Sequence, residues 1–384
     1  MSDDQKIRIW ILVDWFVPGY QAGGPIQSVL NFGMALKNRF EIKVVTTAFD
    51  HGSDEPYPDL PLNQWTSIEE GLEVFYFDKA SPSRGEVFSL LDKGGFDYLY
   101  LQSMFSPAFT LFPLIWQKLR RPKSGIVLAP RGMLHAGALR YSSLKKRLVL
   151  AIMKGLGLMK GVKFQATDEQ ESRDIKAQFG VRTSVRTVGN LPKQTQEQFC
   201  TREKKPGEVR FIFTSRVHPK KNLEHLLELL PRVNGTVVFD IYGPREDEGY
   251  VANLEEMVSG FPEHIEVEFK GGRPPKELHS LMGGYHFSVL PTHGENFGHS
   301  IFEAFLSGLP VIISDQTPWL DLENKQIGWA IPLEDKAFWL GAVQQAIDMD
   351  QNQYELWSRS AWQFARDYNA DPLLVEQAED LFIS

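Results

Sequence analysis

The sequence predicts an α/β protein of two domains, each a parallel sheet covered by helices. Its 384 residues are the length of two ordinary domains. In both halves, short apolar runs of strand length alternate with segments of helical periodicity. Pro192–Glu208, between the halves, is polar and has no regular pattern, which is typical of a linker. We therefore expect one domain over residues 1–192 and a second over residues 193–371.

Composition narrows the class of protein. The 41 basic and 49 acidic residues give a net charge of −8, which argues against a nucleic-acid binder. A single cysteine, Cys200, excludes an internal disulfide and fits a reducing cytosol. The start, M-S-D-D-Q-K, is acidic, and the apolar run after it is too short for a signal peptide. No run of 18 apolar residues occurs, so we expect a cytoplasmic protein.

The first half begins with a strand, a glycine-bearing loop and a helix. Ile7–Val13 is a near-continuous apolar run, as in a buried parallel strand, and helical spacing follows over Ile26–Asn38. Such a unit can bring backbone N–H groups to a phosphate. The loop's glycines do not form G-x-G-x-x-G, so a tight turn and a ligand site both stay open. Further strands are predicted at Glu41–Thr47, Leu72–Phe77, Tyr98–Leu101, Gly125–Leu128, Phe164–Thr167 and Arg186–Leu191.

The second half restarts with a strand at Val209–Thr214 and a helix over Asn222–Leu230, for which Asn222 is the predicted N-cap. Arg216 and Lys221 both fall in the turn between them. Two cations in such a turn can balance the charge of a diphosphate. Lys220 is an alternative to its neighbour, and a solvated basic loop is the alternative to a phosphate site.

The stretch from Pro291 to Trp319 is predicted to contain a loop, a short buried helix and a strand, after a strand at His286–Leu290. Glycine at 298 suits the start of the helix, and glycine at 308 with proline at 310 suits its end. Glu303 lies among apolar neighbours, where an unpaired carboxylate costs several kcal/mol. It either serves a ligand or is paired with a neighbouring arginine.

Glu295 and Glu303 are separated by seven residues, within L-P-T-H-G-E-N-F-G-H-S-I-F-E-A and before S-G-L-P-V-I. This resembles the E-x7-E signature of the retaining, metal-independent GT-B glycosyltransferases, in particular the large family 4. The resemblance implies two Rossmann-like α/β/α domains facing across a cleft. The first would bind the acceptor and the second the nucleotide-sugar donor, and a C-terminal helix at 372–384 would return to the first domain.

The resemblance also implies roles for individual residues. Glu295, Arg216 and Lys221 would be the catalytic group, with the two cations on the donor diphosphate. The expected donor-binding residues are Asn296, Phe297, Gly298, Glu303 (on the ribose) and Thr317. On the acceptor side, Gly23 and Gly24 would line the cleft. Arg131 and His135 lie where family members often carry a histidine, although a surface arginine and an incidental histidine would look the same. Asn190 departs from the family pattern, since V-G-N-L-P stands where P-N-G is common.

The implied function is transfer of a sugar from a nucleotide-diphosphate sugar to a glycan or lipid-linked acceptor, in cell-surface polysaccharide biosynthesis, with no cofactor. The alternatives are a GT-B sugar-nucleotide epimerase and a non-catalytic subunit that only binds nucleotide sugar. Asp348-Met349-Asp350 fits the metal-binding D-x-D pattern of another glycosyltransferase fold. It falls between two predicted helices, so we interpret it as solvated charge. The histidines show no metal-ligand spacing.

Charge is distributed unevenly along the chain. Tyr98–Thr167 contains no acidic residue and twelve basic ones: Lys118, Arg120, Arg121, Lys123, Arg131, Arg140, Lys145, Lys146, Arg147, Lys154, Lys160 and Lys163. Leu144–Met159 mixes several of these with leucines and could lie on anionic lipid as an amphipathic basic helix. The expectation is thus that residues 140–163 contact an anionic membrane surface, on the inner face of the plasma membrane. The alternative is that its apolar side is core and its lysines face water.

Overall fold

The computed structural model describes residues 6–68, 71–135, 139, 143–194 and 198–383. Its backbone divides into two compact units. The first comprises Met1–Gln194 with Pro372–Ser384, and the second Thr195–Asp371. The division falls two residues beyond the predicted boundary. Arg140 and the acidic start of the chain, over which predictions were made, lie outside the described residues.

An eight-stranded sheet forms the centre of the first unit, in the order β3-β4-β2-β1-β5-β6-β7-β8. Its strands are β1 (Arg8–Leu12), β2 (Glu41–Thr47), β3 (Trp65–Ser67), β4 (Glu73–Phe77), β5 (Tyr98–Leu101), β6 (Gly125–Leu128), β7 (Val162–Ala166) and β8 (Val185–Thr187). All neighbouring pairs are parallel except β3 with β4. Because side chains alternate along a strand, Ile9 and Ile11 face one apolar layer while Trp10 and Leu12 face the other.

Helices cover both faces of this sheet. They are α1 (Gly24–Leu36), α2 (Arg84–Asp92), α3 (Phe112–Arg120), α4 (Ser143–Gly155) and α5 (Glu169–Phe179), and a short π-helical turn at Pro107–Leu111 precedes α3. Two of them begin with side-chain caps. Ser83 and Glu86 form a capping box at α2, and the Asp168 carboxylate accepts from the Glu171 N–H at α5.

The second unit is built on a six-stranded, wholly parallel sheet, in the order β11-β10-β9-β12-β13-β14. Its strands are β9 (Glu208–Thr214), β10 (Thr236–Tyr242), β11 (Ile265–Gly271), β12 (Phe287–Leu290), β13 (Val311–Ser314) and β14 (Gly328–Ile331). Its helices are α6 (Leu223–Leu227), α7 (Glu248–Ser259), α8 (Pro275–Met282), α9 (His299–Leu306), α10 (Lys336–Asp348) and α11 (Gln351–Ala370). One continuous core fills this unit, with Trp329 and Trp339 among its largest buried side chains.

The last helix, α12 (Pro372–Ile383), packs on the first unit, as predicted for the C-terminal helix. Phe382 lies against Phe32, Tyr98 and Tyr100, with ring centroids 6.0, 5.4 and 5.5 Å apart. The Lys163 ammonium donates to the Leu381 carbonyl oxygen at 3.1 Å, which satisfies one of the carbonyls at the helix end.

The fold confirms the predicted α/β architecture with two parallel-sheet domains. Several individual helices and strands differ from their predicted bounds. The helix predicted over Asn222–Leu230 is only Leu223–Leu227, and Asn222 has a left-handed backbone and makes no side-chain cap. The strand predicted over Arg186–Leu191 ends at Thr187. The edge strand β3 was not predicted. Among the described residues, no helix is both long enough and apolar enough to cross a membrane.

Candidate active site

The predicted catalytic residues of the second unit lie at the carboxyl ends of two neighbouring central strands. β9 and β12 are adjacent, and the strand order runs in opposite directions on either side of them. Ligands of open α/β sheets bind at this point, because the loops there diverge and leave a crevice. Arg216 and Lys221 follow β9 along the chain, and Glu295 follows β12.

Lys221 and Glu295 form an ion pair in which the ammonium donates to Oε1 of the carboxylate. Both side chains are largely buried, with 12% and 14% of their surface exposed. The Thr292 hydroxyl lies 3.1 Å from the same carboxylate oxygen. Burial alone raises the pKa of the Glu295 carboxyl. The charges of Lys221 and Lys220 and the two hydrogen bonds outweigh burial, so the pKa falls below its ordinary value.

Backbone hydrogen bonds join the loop after β12 to the loops after β9 and β13. The Lys220 carbonyl oxygen accepts from the His293 N–H at 2.8 Å, and the Glu295 N–H donates to the Gln316 carbonyl oxygen at 2.9 Å. The Lys220 side chain is exposed, whereas that of Lys221 makes the contact with Glu295. The sequence did not decide between Lys220 and Lys221 as the second cation of the site. In the structure, Lys221 is the one that pairs with Glu295.

Arg216 is held by a glutamate that the sequence analysis did not single out. Its Nη1 lies 2.9 and 2.8 Å from the two carboxylate oxygens of Glu246, which follows β10. Gly243 makes this approach of the β9 and β10 loops possible, because a Cβ there would lie 1.7 Å from the Ser215 carbonyl oxygen. The ion pair is half-buried and fixes Arg216 at the same edge of the sheet.

The helix α9 begins at His299, and Glu295, Asn296, Phe297 and Gly298 lead directly into it. Gly298 takes a left-handed conformation (φ 77°, ψ 63°) at its N-cap and offers no capping side chain. Phe297 packs on Trp319 and Phe302, with ring centroids 5.2 and 5.9 Å apart, and its carbonyl oxygen accepts from the Trp319 indole. This aromatic cluster fixes the direction in which the first-turn N–H groups point, and such groups favour an anion.

Two further residues of the predicted donor site, Glu303 and Thr317, lie on α9 and in the loop after β13. Glu303 is half-buried on α9, and the apolar residues around it are buried, as expected for a short buried helix. Helical spacing turns position 303 away from Ile301 and Phe305. Thr317 is buried, and its hydroxyl accepts from the Trp319 N–H at 3.2 Å. Its side chain therefore shapes the loop after β13.

The first unit holds the predicted acceptor-side residues. Gly23 has a left-handed φ of 67° and precedes α1, and Gly24 is the first residue of that helix. Arg131 follows β6, and its guanidinium donates to Gln102, Asn190 and Tyr100. Asn190, whose role the sequence left in doubt, is thus joined to Arg131. His135 lies in the turn that follows, where its N–H donates to the Gly132 carbonyl oxygen at 3.2 Å.

Asp14 is a further polar group that the sequence analysis did not single out. It follows β1, and its carboxylate accepts from the Ser106 hydroxyl at 2.6 Å. Burial raises its pKa, although the hydrogen bond from Ser106 acts in the opposite direction. The sequence could have indicated this residue, because Asp14 directly follows the mostly apolar run I-R-I-W-I-L-V. The carboxyl ends of parallel strands commonly carry ligand-binding groups.

The D-x-D triplet contributes to helix ends. Asp348 is the last residue of α10, and Asp350 caps α11 by accepting from the Gln353 N–H at 2.9 Å. Within the described part of the chain, no three or more His, Cys, Asp or Glu side chains are grouped so that they could hold a metal ion.

Comparison with known proteins agrees with this architecture. Residues 194–362 match the model of the family described as glycosyl transferases group 1. The GtfA subunit of UDP-N-acetylglucosamine–peptide N-acetylglucosaminyltransferase from Streptococcus agalactiae is 27% identical over 153 residues. That alignment spans 38% of this chain and 28% of the relative, which is thus matched over less than a third of its length.

Two solved structures match nearly the whole chain. Sucrose-phosphate synthase from Thermosynechococcus elongatus superposes with a TM-score of 0.71 at 14% identity, covering 98% of both chains. HepE of Anabaena, solved in complex with UDP-glucose, gives a TM-score of 0.71 at 14% identity, covering 97% of this chain and 98% of HepE. At such identities the likeness concerns the fold. The chain has the GT-B fold, and residues 194–362, which make up most of its second unit, match the model of glycosyl transferases group 1. These findings support the interpretation of the protein as a glycosyltransferase.

Proposed function

We propose that the protein is a retaining, metal-independent glycosyltransferase that moves a hexose from a nucleotide-diphosphate sugar to a glycan or lipid-linked acceptor in cell-surface polysaccharide biosynthesis. The observation that carries the proposal is the Lys221–Glu295 pair at the carboxyl ends of β9 and β12. Arg216 and the start of α9 lie at the same edge of the sheet. UDP-glucose, with which HepE was solved, is a donor of the proposed class.

In the proposed reaction, the bond between the anomeric carbon and the diphosphate oxygen breaks, and negative charge collects on the departing oxygen. Arg216 and the first-turn N–H groups of α9 stabilise that charge, the role that a metal ion has in other enzymes. The acceptor hydroxyl attacks from the same face, and its proton passes to the leaving phosphate. The sugar therefore keeps its anomeric configuration.

The ion pair gives Lys221 two roles. One of its three N–H groups is given to Glu295, which leaves the others for the diphosphate. In return, its charge keeps Glu295 ionised, so that this carboxylate can accept hydrogen bonds from the hydroxyls of the donor sugar. Glu303 would hold the nucleotide ribose, and Asn296 and Phe297 would border the sugar.

The first experiment is a binding screen with nucleoside diphosphates, followed by turnover with the sugar conjugates of those that bind, in the presence of EDTA. Proton NMR of the product reports its anomeric configuration. We expect turnover with EDTA present and the same configuration in donor and product. An inverted product, or activity that returns only with Mn²⁺ or Mg²⁺, would contradict the proposed mechanism.

We also propose that α4 lies on anionic membrane, which would make the protein peripheral to the inner face of the plasma membrane. The helix carries two apolar faces. Leu150 and Met153 are buried in the core, whereas Leu144, Leu148 and Ile152 are 81%, 62% and 43% exposed. These three recur at every fourth position and so form one stripe along the helix. Exposed apolar stripes of this kind are typical of contact surfaces.

Basic side chains accompany the stripe. Lys145, Arg147 and Lys154 are exposed on α4, and Lys160 follows it. Each cation near an anionic surface contributes about 1 kcal/mol of attraction, in addition to burial of the leucines. Two of the lysines of α4 also contact aromatic rings: the ammonium of Lys146 lies 5.8 Å from the ring centroid of Phe105, and that of Lys154 lies 5.5 Å from the ring centroid of Phe179. This arrangement supports a lipid-linked acceptor.

A further inference from the structure

A polar cluster surrounds Arg131 at the carboxyl ends of the first unit's strands. Its Nε and Nη2 donate to Gln102 Oε1 at 2.9 and 2.6 Å, Nη2 also donates to the Tyr100 hydroxyl at 3.1 Å, and Nη1 donates to Asn190. The Tyr100 hydroxyl in turn donates to Gln165, whose amide donates to the Val188 carbonyl oxygen at 2.8 Å. The cluster joins the ends of β5, β6, β7 and the segment after β8.

Every acceptor that Arg131 reaches among the described residues is uncharged. Gln102, Asn190 and Tyr100 are all buried, and the guanidinium itself is half-buried. Arginine side chains carry a full positive charge in proteins, and these neutral partners do not cancel it. A partly buried cation without an opposite charge is costly, which is why such groups are normally paired.

The part of the surrounding chain that the structure describes does not pair Arg131 with an opposite charge. β5, β6 and their following loops lie in Tyr98–Thr167, which contains no Asp or Glu at all. Glu171, on α5, is the carboxylate linked to this region. Its oxygens accept from the N–H of Gly132 and from the N–H and hydroxyl of Thr167 at 2.5, 2.8 and 2.7 Å. No ion pair joins it to Arg131 within the described chain.

Arg131 also has room for one more acceptor. A guanidinium carries five N–H groups, and four are used by the bonds to Gln102, Tyr100 and Asn190. Its backbone is held in the left-handed region, at φ 56°, which is unusual for an arginine. Such strain at the end of a strand is a common feature of binding sites.

We propose that Arg131 binds an anionic group of the acceptor, a phosphate or a carboxylate. This inference rests on the proposed transferase function and adds the chemical class of the acceptor to it. The neutral side chains orient the guanidinium without cancelling its charge, and an arginine fork matches both kinds of anion. Arg131 would thus select charged acceptors over uncharged ones of the same shape.

The test compares three octyl glycosides that differ only at carbon 6 of the sugar: octyl glucoside, octyl glucoside 6-phosphate and octyl glucuronide. Each is titrated into the protein by calorimetry at low salt, with UDP present to fill the donor site. If Arg131 donates a charge-assisted hydrogen bond to the anionic group, each anionic probe that fits should bind about ten- to a hundredfold more tightly than the uncharged one. Preference for the phosphate or for the glucuronide identifies which anion the site takes.

Two variants separate recognition from folding. Arg131→Gln removes the charge, and Asn190→Asp places a carboxylate against Nη1 while keeping the shape and the hydrogen bond. Both should abolish the preference for anionic probes, and Asn190→Asp should do so without lowering the melting temperature. Arg173→Gln, which removes an exposed cation of α5, should keep the preference.

Equal binding of the charged and uncharged probes, or no binding of the anionic ones, would overturn the proposal. So would an unchanged preference in Asn190→Asp. A purely structural Arg131 would lower the melting temperature in Arg131→Gln and leave the wild-type protein without any preference. Failure of UDP to bind would count against the proposed function alone, because the anion titration can be repeated without it.

Discussion

The Lys221 ammonium donates a hydrogen bond to the Glu295 carboxylate across 74 positions of sequence, and both groups are largely buried. Removing one partner of such a pair therefore affects stability as well as catalysis. Lys221→Ala leaves Glu295 without its cation, which should cost about 3 kcal/mol of unfolding free energy. The loss of a preorganised charge should also lower kcat roughly 10²-fold.

The double variant Lys221→Ala with Glu295→Ala separates these two effects. It removes the uncompensated carboxylate, so that much of the lost stability should return while activity stays low. Urea unfolding and turnover of the two single variants and the double variant provide the comparison. If Lys221→Ala unfolds like the parent, the pair does not stabilise the fold.

Arg216 should behave differently, because its ion pair with Glu246 is more exposed. Its side chain and that of Glu246 are 35% and 26% exposed, so Arg216→Ala should change the melting temperature little. We expect kcat to fall roughly 10²-fold, as for the loss of one donor to a developing anion. Arg245→Ala is the matched control, since Arg245 is nearby and pairs with Glu248 and Glu255. Equal activity in Arg216→Ala and Arg245→Ala would exclude a role for Arg216 at the diphosphate.

Glu303→Gln tests the proposed contact with the ribose. A charge-assisted hydrogen bond to a ribose hydroxyl would be lost, which should weaken UDP binding about tenfold in calorimetry. Because Glu303 is half-buried, the melting temperature should stay close to that of the parent. Glu256→Gln, on the exposed side of α7, is the control. A lower melting temperature with unchanged UDP affinity would show that Glu303 is a structural carboxylate.

His286 makes the stability of the second unit depend on pH. Burial lowers its pKa from the ordinary 6.5 to about 4, while Nδ1 accepts from the Arg210 N–H at 3.0 Å. The folded state thus binds the proton more weakly than the unfolded state. The stabilisation is fully present above pH 6.5 and is lost as pH falls towards 4, by an amount of order 3 kcal/mol.

The variant His286→Gln checks this origin of the pH dependence. Its unfolding free energy should fall less steeply between pH 6.5 and 4 than that of the parent, because glutamine does not titrate. The exposed His264 provides the control, and His264→Gln should follow the parent curve. Parallel curves for His286→Gln and the parent would show that His286 does not cause the loss.

Buried parallel strands were the most predictable elements. Glu41–Thr47, Tyr98–Leu101 and Gly125–Leu128 have the predicted bounds. Each contains a short run of buried apolar or β-branched residues, which is typical of a strand that is covered on both faces. The edge strand β3 has only three residues and none of them is buried, so no such run marks it.

Partners across the fold were not predictable in the same way. Spacing indicates which face a residue takes, but it does not indicate which distant side chain will meet it. Arg131 contacts Gln102 and Asn190, which lie 29 and 59 positions away. Arg216 likewise meets Glu246, 30 positions on, because β9 and β10 are neighbours in the sheet. Motifs selected the residues of the candidate site, whereas their ion pairs became evident only from the sheet order.

The exposed stripe on α4 predicts binding to anionic vesicles. In sedimentation at low salt, the protein should pellet with vesicles that contain phosphatidylglycerol and stay in solution with phosphatidylcholine alone. Binding should weaken as salt screens the charges of Lys145 and Arg147. Because Leu144, Leu148 and Ile152 are exposed, changing them to serine should reduce binding and leave the melting temperature almost unchanged.

Matched variants assign the binding to this helix. Replacing Lys145 and Arg147 by serine should weaken binding, whereas replacing Lys93 and Arg173, two exposed cations on other parts of the same unit, should not. Lys146 is left in place, because its ammonium lies over Phe105 and its loss could disturb packing. If the parent stays in the supernatant with anionic vesicles at low salt, α4 does not bind membrane and a water-soluble acceptor is the better hypothesis. If both pairs of variants weaken binding equally, the net charge of the unit explains the attraction, and the basic residues of α4 have no special part in it.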